Sequence, residues 1–142
     1  AWTPAISLMM GLKTALSMMQ EEGLENIYKR HAILSKSTRE AVQSMGLKIF
    51  PKDLIAECLT SVEVPNGVNG KEIPKKMQAD CGVTIAGGQG ELSDKIFRIG
   101  HLGYVDGADI LVAISALEKT LLELGCQFDK SVGVAAAQRN LC

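Results

Sequence analysis

A chain of 142 residues with 46% hydrophobic and 22% charged residues has the make-up of one ordinary globular domain, or of one part of a larger protein. At this length roughly 70% of the unfolded surface can be buried, so a true core is attainable. Fifteen basic residues against sixteen acidic ones leave a net charge of −1 and no basic stripe, which argues against nucleic acid as the main partner.

Thr3 is a suitable N-cap and Pro4 suits the first helical position, so a first helix is expected to run from there to about Gln20 and stop before Gly23. Ile6, Met9, Met10, Leu12, Leu16 and Met19 nearly encircle it, which predicts a well-buried helix. The run from Ile6 to Met19 is too short and too mixed for a membrane span, and no signal-peptide pattern precedes it. A second helix fits Leu24 to Met45 with Gly46 after its end; Leu24, Ile27, Tyr28, Leu34, Thr38, Ala41 and Met45 form its stripe. His31 lies beside that stripe and reads as a packed, hydrogen-bonded histidine at the core edge. Leu47 to Phe50 reads as a short strand closed by Pro51, and Thr60 to Val64 as a second strand closed by Pro65. Asn66 to Gly70 is a turn or loop, and Lys71 to Asp80 a shorter helix ended by Gly82. Val83 to Ile85 is expected to be a strand, Gly87-Gly88-Gln89-Gly90 a loop, and Ile96 to Ile99 another strand. Asp106 or Asp109 starts the last long helix, with Ile110, Ile114, Leu117, Leu121 and Leu124 as its stripe and Gly125 at its close. The residues from Cys126 onward lack strong periodicity and form an extended or helical tail. Two strand pairs joined through a helix, with long helices at both ends, define an α+β two-layer sandwich: a small, mostly antiparallel sheet with helices packed on one face.

The most informative residues are Phe97-Arg98-Ile99-Gly100-His101-Leu102-Gly103. On a strand, Phe97 and Ile99 point one way and Ile96 and Arg98 the other. One face joins the core while the other offers a fixed, always-charged, two-pronged donor suited to a small carboxylate or phosphate. The plainer reading is an edge-strand arginine in a surface ion pair. His101 reads as a bystander. Gly87 to Gly90 lacks the strand–helix context of a phosphate cradle, so a flexible connection or hairpin fits better. Lys71, Lys75 and Lys76 read as a solvated face. Cys58, Cys81, Cys126 and Cys142 are far apart, with no Cys-x-x-Cys pair and no neighbouring histidine. That spacing predicts free thiols in a reducing compartment and no metal site, with Cys142 the most reactive.

The Phe97–Gly103 segment resembles the signature near the end of class V pyridoxal-phosphate (PLP) aminotransferases of the alanine–glyoxylate and serine–pyruvate type. Thr3-Pro4 before a long helix, and Glu21-Glu22-Gly23-Leu24 after it, are similar to the start of that family's small C-terminal domain. Gly133-Val134-Ala135-Ala136-Ala137-Gln138 resembles the branch labelled soluble hydrogenase 42 kDa (small) subunit. The resemblance implies the small C-terminal domain of a fold-type-I PLP enzyme over residues 1–125 and a tail over 126–142. The large PLP-binding domain, with the cofactor's lysine and the acid facing the pyridine nitrogen, lies upstream of this sequence. Arg98 is then the residue that binds the substrate α-carboxylate, and Thr3 reaches the PLP phosphate of a neighbouring subunit. Beside Thr3, Trp2 departs from the polar residue common in the family. By the same resemblance the parent is a cytoplasmic homodimer that moves an amino group between alanine or serine and glyoxylate or pyruvate. It binds neither nucleic acid nor membrane, and this fragment alone holds no catalytic residue and is inactive. Two other readings stand beside it. One is a non-catalytic interaction subunit associated with a soluble hydrogenase; the other is a free-standing α+β module that binds a small anion through Arg98, favoured if the native reading frame starts at or just before Ala1.

Overall fold

The computed structural model describes residues 2–141; Ala1 and Cys142, including the expected reactivity of Cys142, lie outside the described residues. The chain divides into two compact units, Ala1–Arg30 and His31–Cys142.

The first unit holds α1 (Ile6–Glu22) and the start of α2 (Leu24–Ser44). Gly23, at φ 81°, breaks the chain between them and donates its N–H to Met19 O. Glu22 and Arg30 bridge this break through two N–H···O bonds of 2.6 and 2.9 Å. Two expectations fail here. Thr3 is not the N-cap: α1 starts at Ile6, and the cap position is Ala5, which makes no side-chain cap bond. Ala5 has φ −76° and ψ 67°, and Ile6 N–H reaches back to Pro4 O at 2.9 Å. That is an inverse γ-turn, and it uses the proline carbonyl where a hydroxyl cap was expected. Nor is α1 buried: Met9 is 63% exposed, Leu12 60% and Leu16 50%. One helix and the first turns of another supply no second layer against which an all-round apolar surface can be covered.

The second unit contains the sheet and its helices. Strands β1 (Leu59–Glu63), β2 (Ala86–Gly87) and β3 (Ile96–Gly100) form an antiparallel sheet in the order β1-β3-β2. The register sets Thr60 opposite Ile99 and Val62 opposite Phe97 on one face, and Ser61 opposite Arg98 on the other. Leu47–Phe50 is not a full strand. It contributes a single bridge, Ile49 to Val62, before Pro51 ends the pairing. The strand expected at Val83–Ile85 lies further along, at Ala86–Gly87. Gly82 closes helix α3 (Glu72–Cys81) in the left-handed conformation and Val83 N–H turns back to Met77 O, which holds the chain out of pairing until residue 86.

Helix α4 (Gly107–Glu123) opens on a reciprocal capping box. Asp106 accepts from the N–H groups of Ala108 and Asp109, and Asp109 accepts from Asp106 N–H. The tail resolves as helix α5 (Val132–Leu141). The buried Glu118 carboxylate on α4 accepts the N–H of Gly133 at 2.6 Å, satisfying a donor at the start of α5. A Cβ on Gly133 would lie 3.0 Å from that carboxylate and 3.2 Å from Ile114 and Met45, so glycine lets the two helices approach. Leu34 and Val42 of α2, Met45 just after it, Ile73 and Met77 of α3, Ile114, Leu117 and Leu121 of α4, and Ala137 of α5 share one core with Val62, Phe97 and Ile99. The helices thus cover one face of the sheet, and Ser61, Arg98 and Ala86 lie on the opposite, more open one.

Candidate functional site

Arg98 sits in the middle of β3, the central strand, and not on an edge. The alternation that buries Phe97 and Ile99 directs its half-buried side chain to the open face. There the guanidinium donates from Nε at 3.1 Å and from Nη2 at 2.9 Å to one acceptor, the carbonyl of Gly87. Among the described residues no carboxylate pairs with Arg98, so the surface ion-pair reading fails. Among the described residues Nη1 has no hydrogen-bond partner, and a guanidinium with a donor to spare on a strand is chemically suited to an anion.

The chain around Arg98 is tied down on both sides. Gly88 N–H bonds Ile96 O at 2.9 Å, closing the turn that leads from β2 towards β3. This turn contains a short 3-10 segment at Gly90–Leu92, which begins at the last residue of the expected Gly87–Gly90 loop. Beyond β3, His101 is fully buried, its Nε2 2.9 Å from Thr60 Oγ1 and its N–H on Cys58 O. Burial holds its pKa below the ordinary 6.5. His31, also buried, accepts Gly103 N–H at Nε2 over 3.2 Å, so its neutral form carries the proton on Nδ1. This matches its expected role as a packed, bonded histidine. Gly103 takes φ 95°, a left-handed conformation that suits glycine.

Thr3 is exposed and lies ahead of α1 in the other unit. No acidic side chain occupies the first turn of that helix, but Thr3 lies three residues before it and the Ile6 N–H is taken by Pro4 O. The lysines do not suit a covalent cofactor attachment. All but Lys76 are exposed, and Lys76 is shared between Asp80 and Glu123 at 2.6 and 2.9 Å, which raises its pKa. Of the residues expected at substrate and cofactor, Arg98 presents a charged planar donor and Thr3 an exposed hydroxyl. Cys58, Cys81 and Cys126 are free thiols, with Cys126 pushed up in pKa by burial. Among the described residues no cluster of His, Cys, Asp or Glu is arranged to hold a metal, and no helix is long and apolar enough to cross a membrane. Two open clefts, of about 420 Å³ beside Ser115 and Lys119 and about 700 Å³ beside Arg39 and Lys48, are lined by neither Arg98 nor Thr3.

Sequence reasoning reached Arg98 but missed the Gly87 carbonyl that holds it. The one available signal was the Gly87-Gly88 pair eleven residues upstream of Arg98, where a backbone must come close.

No family model matches the chain. It is 45% identical over 141 residues to the soluble hydrogenase, small subunit, of Synechococcus sp., covering 99% of this chain and 37% of that protein. It is 39% identical over 142 residues to serine–glyoxylate aminotransferase of Arabidopsis thaliana, covering 99% of this chain and 35% of that protein. The crystal structure of pyridoxamine–pyruvate aminotransferase from Mesorhizobium loti superposes with a TM-score of 0.91 at 31% identity, over 98% of this chain and 36% of that one. The chain spans a little over a third of the length of the relatives it matches. Its homologues and structural neighbours are class V aminotransferases, and it corresponds, nearly end to end, to the small C-terminal domain of that family.

Proposed function

We propose that this domain serves as the substrate-carboxylate arm of a PLP-dependent aminotransferase. That enzyme moves an amino group between alanine or serine and glyoxylate or pyruvate. The observation that carries the reading is Arg98: half-buried, on the central strand, free of any carboxylate among the described residues, and held at its Nε edge by Gly87. A carboxylate meeting the Nη1–Nη2 edge forms two parallel charged hydrogen bonds, which fix the amino acid's orientation about its Cα. Bound PLP supplies the electron sink for the Cα–H chemistry, and its lysine belongs to the large domain, outside this sequence. Thr3 contributes a hydroxyl to the cofactor phosphate across a homodimer interface. What supports the reading is the agreement between the arginine's geometry and the aminotransferase names of relatives over the whole chain. Support for the hydrogenase-subunit reading is confined to names.

The test is the visible absorption spectrum of the full-length protein, recorded as purified, then with alanine or serine, then with glyoxylate. A cofactor band that bleaches with the amino acid and returns with the 2-oxo acid is the expected result. The absence of any band after added PLP would overturn the reading and move the interaction-subunit role to first place.

A further inference from the structure

We infer that the carbonyl of Gly87, fixed in place by the side-chain-free turn at Gly88, is the positioning group that makes Arg98 a one-edged receptor for a planar carboxylate. The inference rests on the reading of Arg98 as the carboxylate arm and adds what sets its orientation.

A guanidinium has two edges that can each hold a carboxylate: Nε with Nη2, and Nη1 with Nη2. Gly87 O accepts from Nε at 3.1 Å and from Nη2 at 2.9 Å, so the first edge is already occupied. Only the Nη1–Nη2 edge can then meet a substrate, and it does so end-on. The side-on approach is closed to any ligand. A long side chain with several free torsions is thereby held before the ligand arrives, which lowers the ordering cost of binding.

The position of that carbonyl depends on the next residue. A Cβ on Gly88 would sit 1.9 Å from Leu92 O, closer than any side chain tolerates, and 3.1 Å from Ile96 Cγ1, a tight contact. The obstacle at Leu92 is backbone, so it cannot swing aside as a side chain would. Gly88 N–H is also bonded to Ile96 O, two residues before Arg98. Any side chain at Gly88 must therefore spread the turn and move the adjoining Gly87 carbonyl away from Arg98. Lysine in place of Arg98 keeps the charge but has neither the Nε–H that Gly87 holds nor the planar two-donor edge.

The experiment uses the full-length enzyme and four variants: Gly88→Ala, Arg98→Ala, Arg98→Lys, and the double variant Gly88→Ala with Arg98→Ala. KM and kcat for the amino acid are measured for each, alongside the cofactor absorbance and thermal unfolding. Gly88→Ala is expected to raise KM about tenfold, the scale of one lost charged hydrogen bond, with the cofactor band retained. In the Arg98→Ala background the same change is expected to add nothing to KM, because its effect passes through the arginine. Arg98→Lys is expected to resemble Arg98→Ala. Additive KM increases in the double variant would overturn the inference by showing an ordinary structural defect, as would a Gly88→Ala enzyme with normal KM. If Gly88→Ala does not fold, Arg98→Lys decides: a KM within about twofold of the parent's would show that no oriented planar edge is needed. An unchanged KM in Arg98→Ala would instead sink the assignment of Arg98 itself.

Discussion

Two helices of equal length teach the main lesson of this molecule. α1 and α4 each have 17 residues and both are rich in large apolar side chains. In α4 seven residues are buried, among them Ile114, Leu117 and Leu121, and they join one core with α2, α3 and the sheet. In α1 none is buried. α4 is the more apolar of the two, but the helices also differ in company: α4 belongs to a unit with a sheet and several helices, while α1 stands in a unit made of little more than itself. Apolar content states what a helix gains by being covered; only the surroundings decide whether it is.

The sharpest contrast should appear in stability. Leu117→Ala in α4 is expected to lower the unfolding free energy of the chain by about 2–5 kcal/mol, through lost burial plus a cavity. Leu12→Ala in α1 is expected to change it by less than about 0.5 kcal/mol, since that side chain is already in water. Denaturant unfolding of both variants measures the contrast, and equal losses would break it. Between these extremes, Glu118→Ala removes the acceptor that ties α4 to the first N–H groups of α5. It is expected to cost about 1–3 kcal/mol and to expose α5 to early hydrogen exchange. Exchange that stays uniform across the second unit would show that α5 is held by packing alone.

A smaller effect should follow pH. His101 is buried with its pKa held below 6.5, so its folded state favours the neutral ring. As pH falls below about 6.5 the unfolded chain takes up a proton that the folded one resists. Stability should therefore be intact above that value and decline progressively below it, until the folded pKa is reached. His101→Gln should flatten that decline in a melting-temperature series from pH 7.5 to 5. A slope identical to the parent's would show that other groups set it.

How far the sequence could be read follows the same division. The α4 stripe and the Phe97–Ile99 alternation were legible because local period and burial agree there, and the helix start was narrowed to Asp106 or Asp109. The inverse γ-turn at Ala5 was not, because Thr-Pro reads equally well as a cap and as an extended lead-in. The two-residue β2 was not, because a strand that short has no period and its pairing was displaced by the Gly82 turn. Helix α5 has no local signal of its own, because its partner Glu118 lies fifteen residues away from Gly133. Arg98 was legible as a side chain, whereas its anchor is a backbone carbonyl, which leaves no residue type to recognise.

The central claim is that Arg98 receives the carboxylate of the substrate. The most direct measurement is steady-state kinetics of Arg98→Ala in the full-length enzyme, with the cofactor spectrum recorded on the same preparation. KM for the amino acid is expected to rise about 10- to 200-fold, as the loss of a charged hydrogen-bonded pair implies, while the cofactor band persists. An unchanged KM with an intact cofactor band would contradict the account.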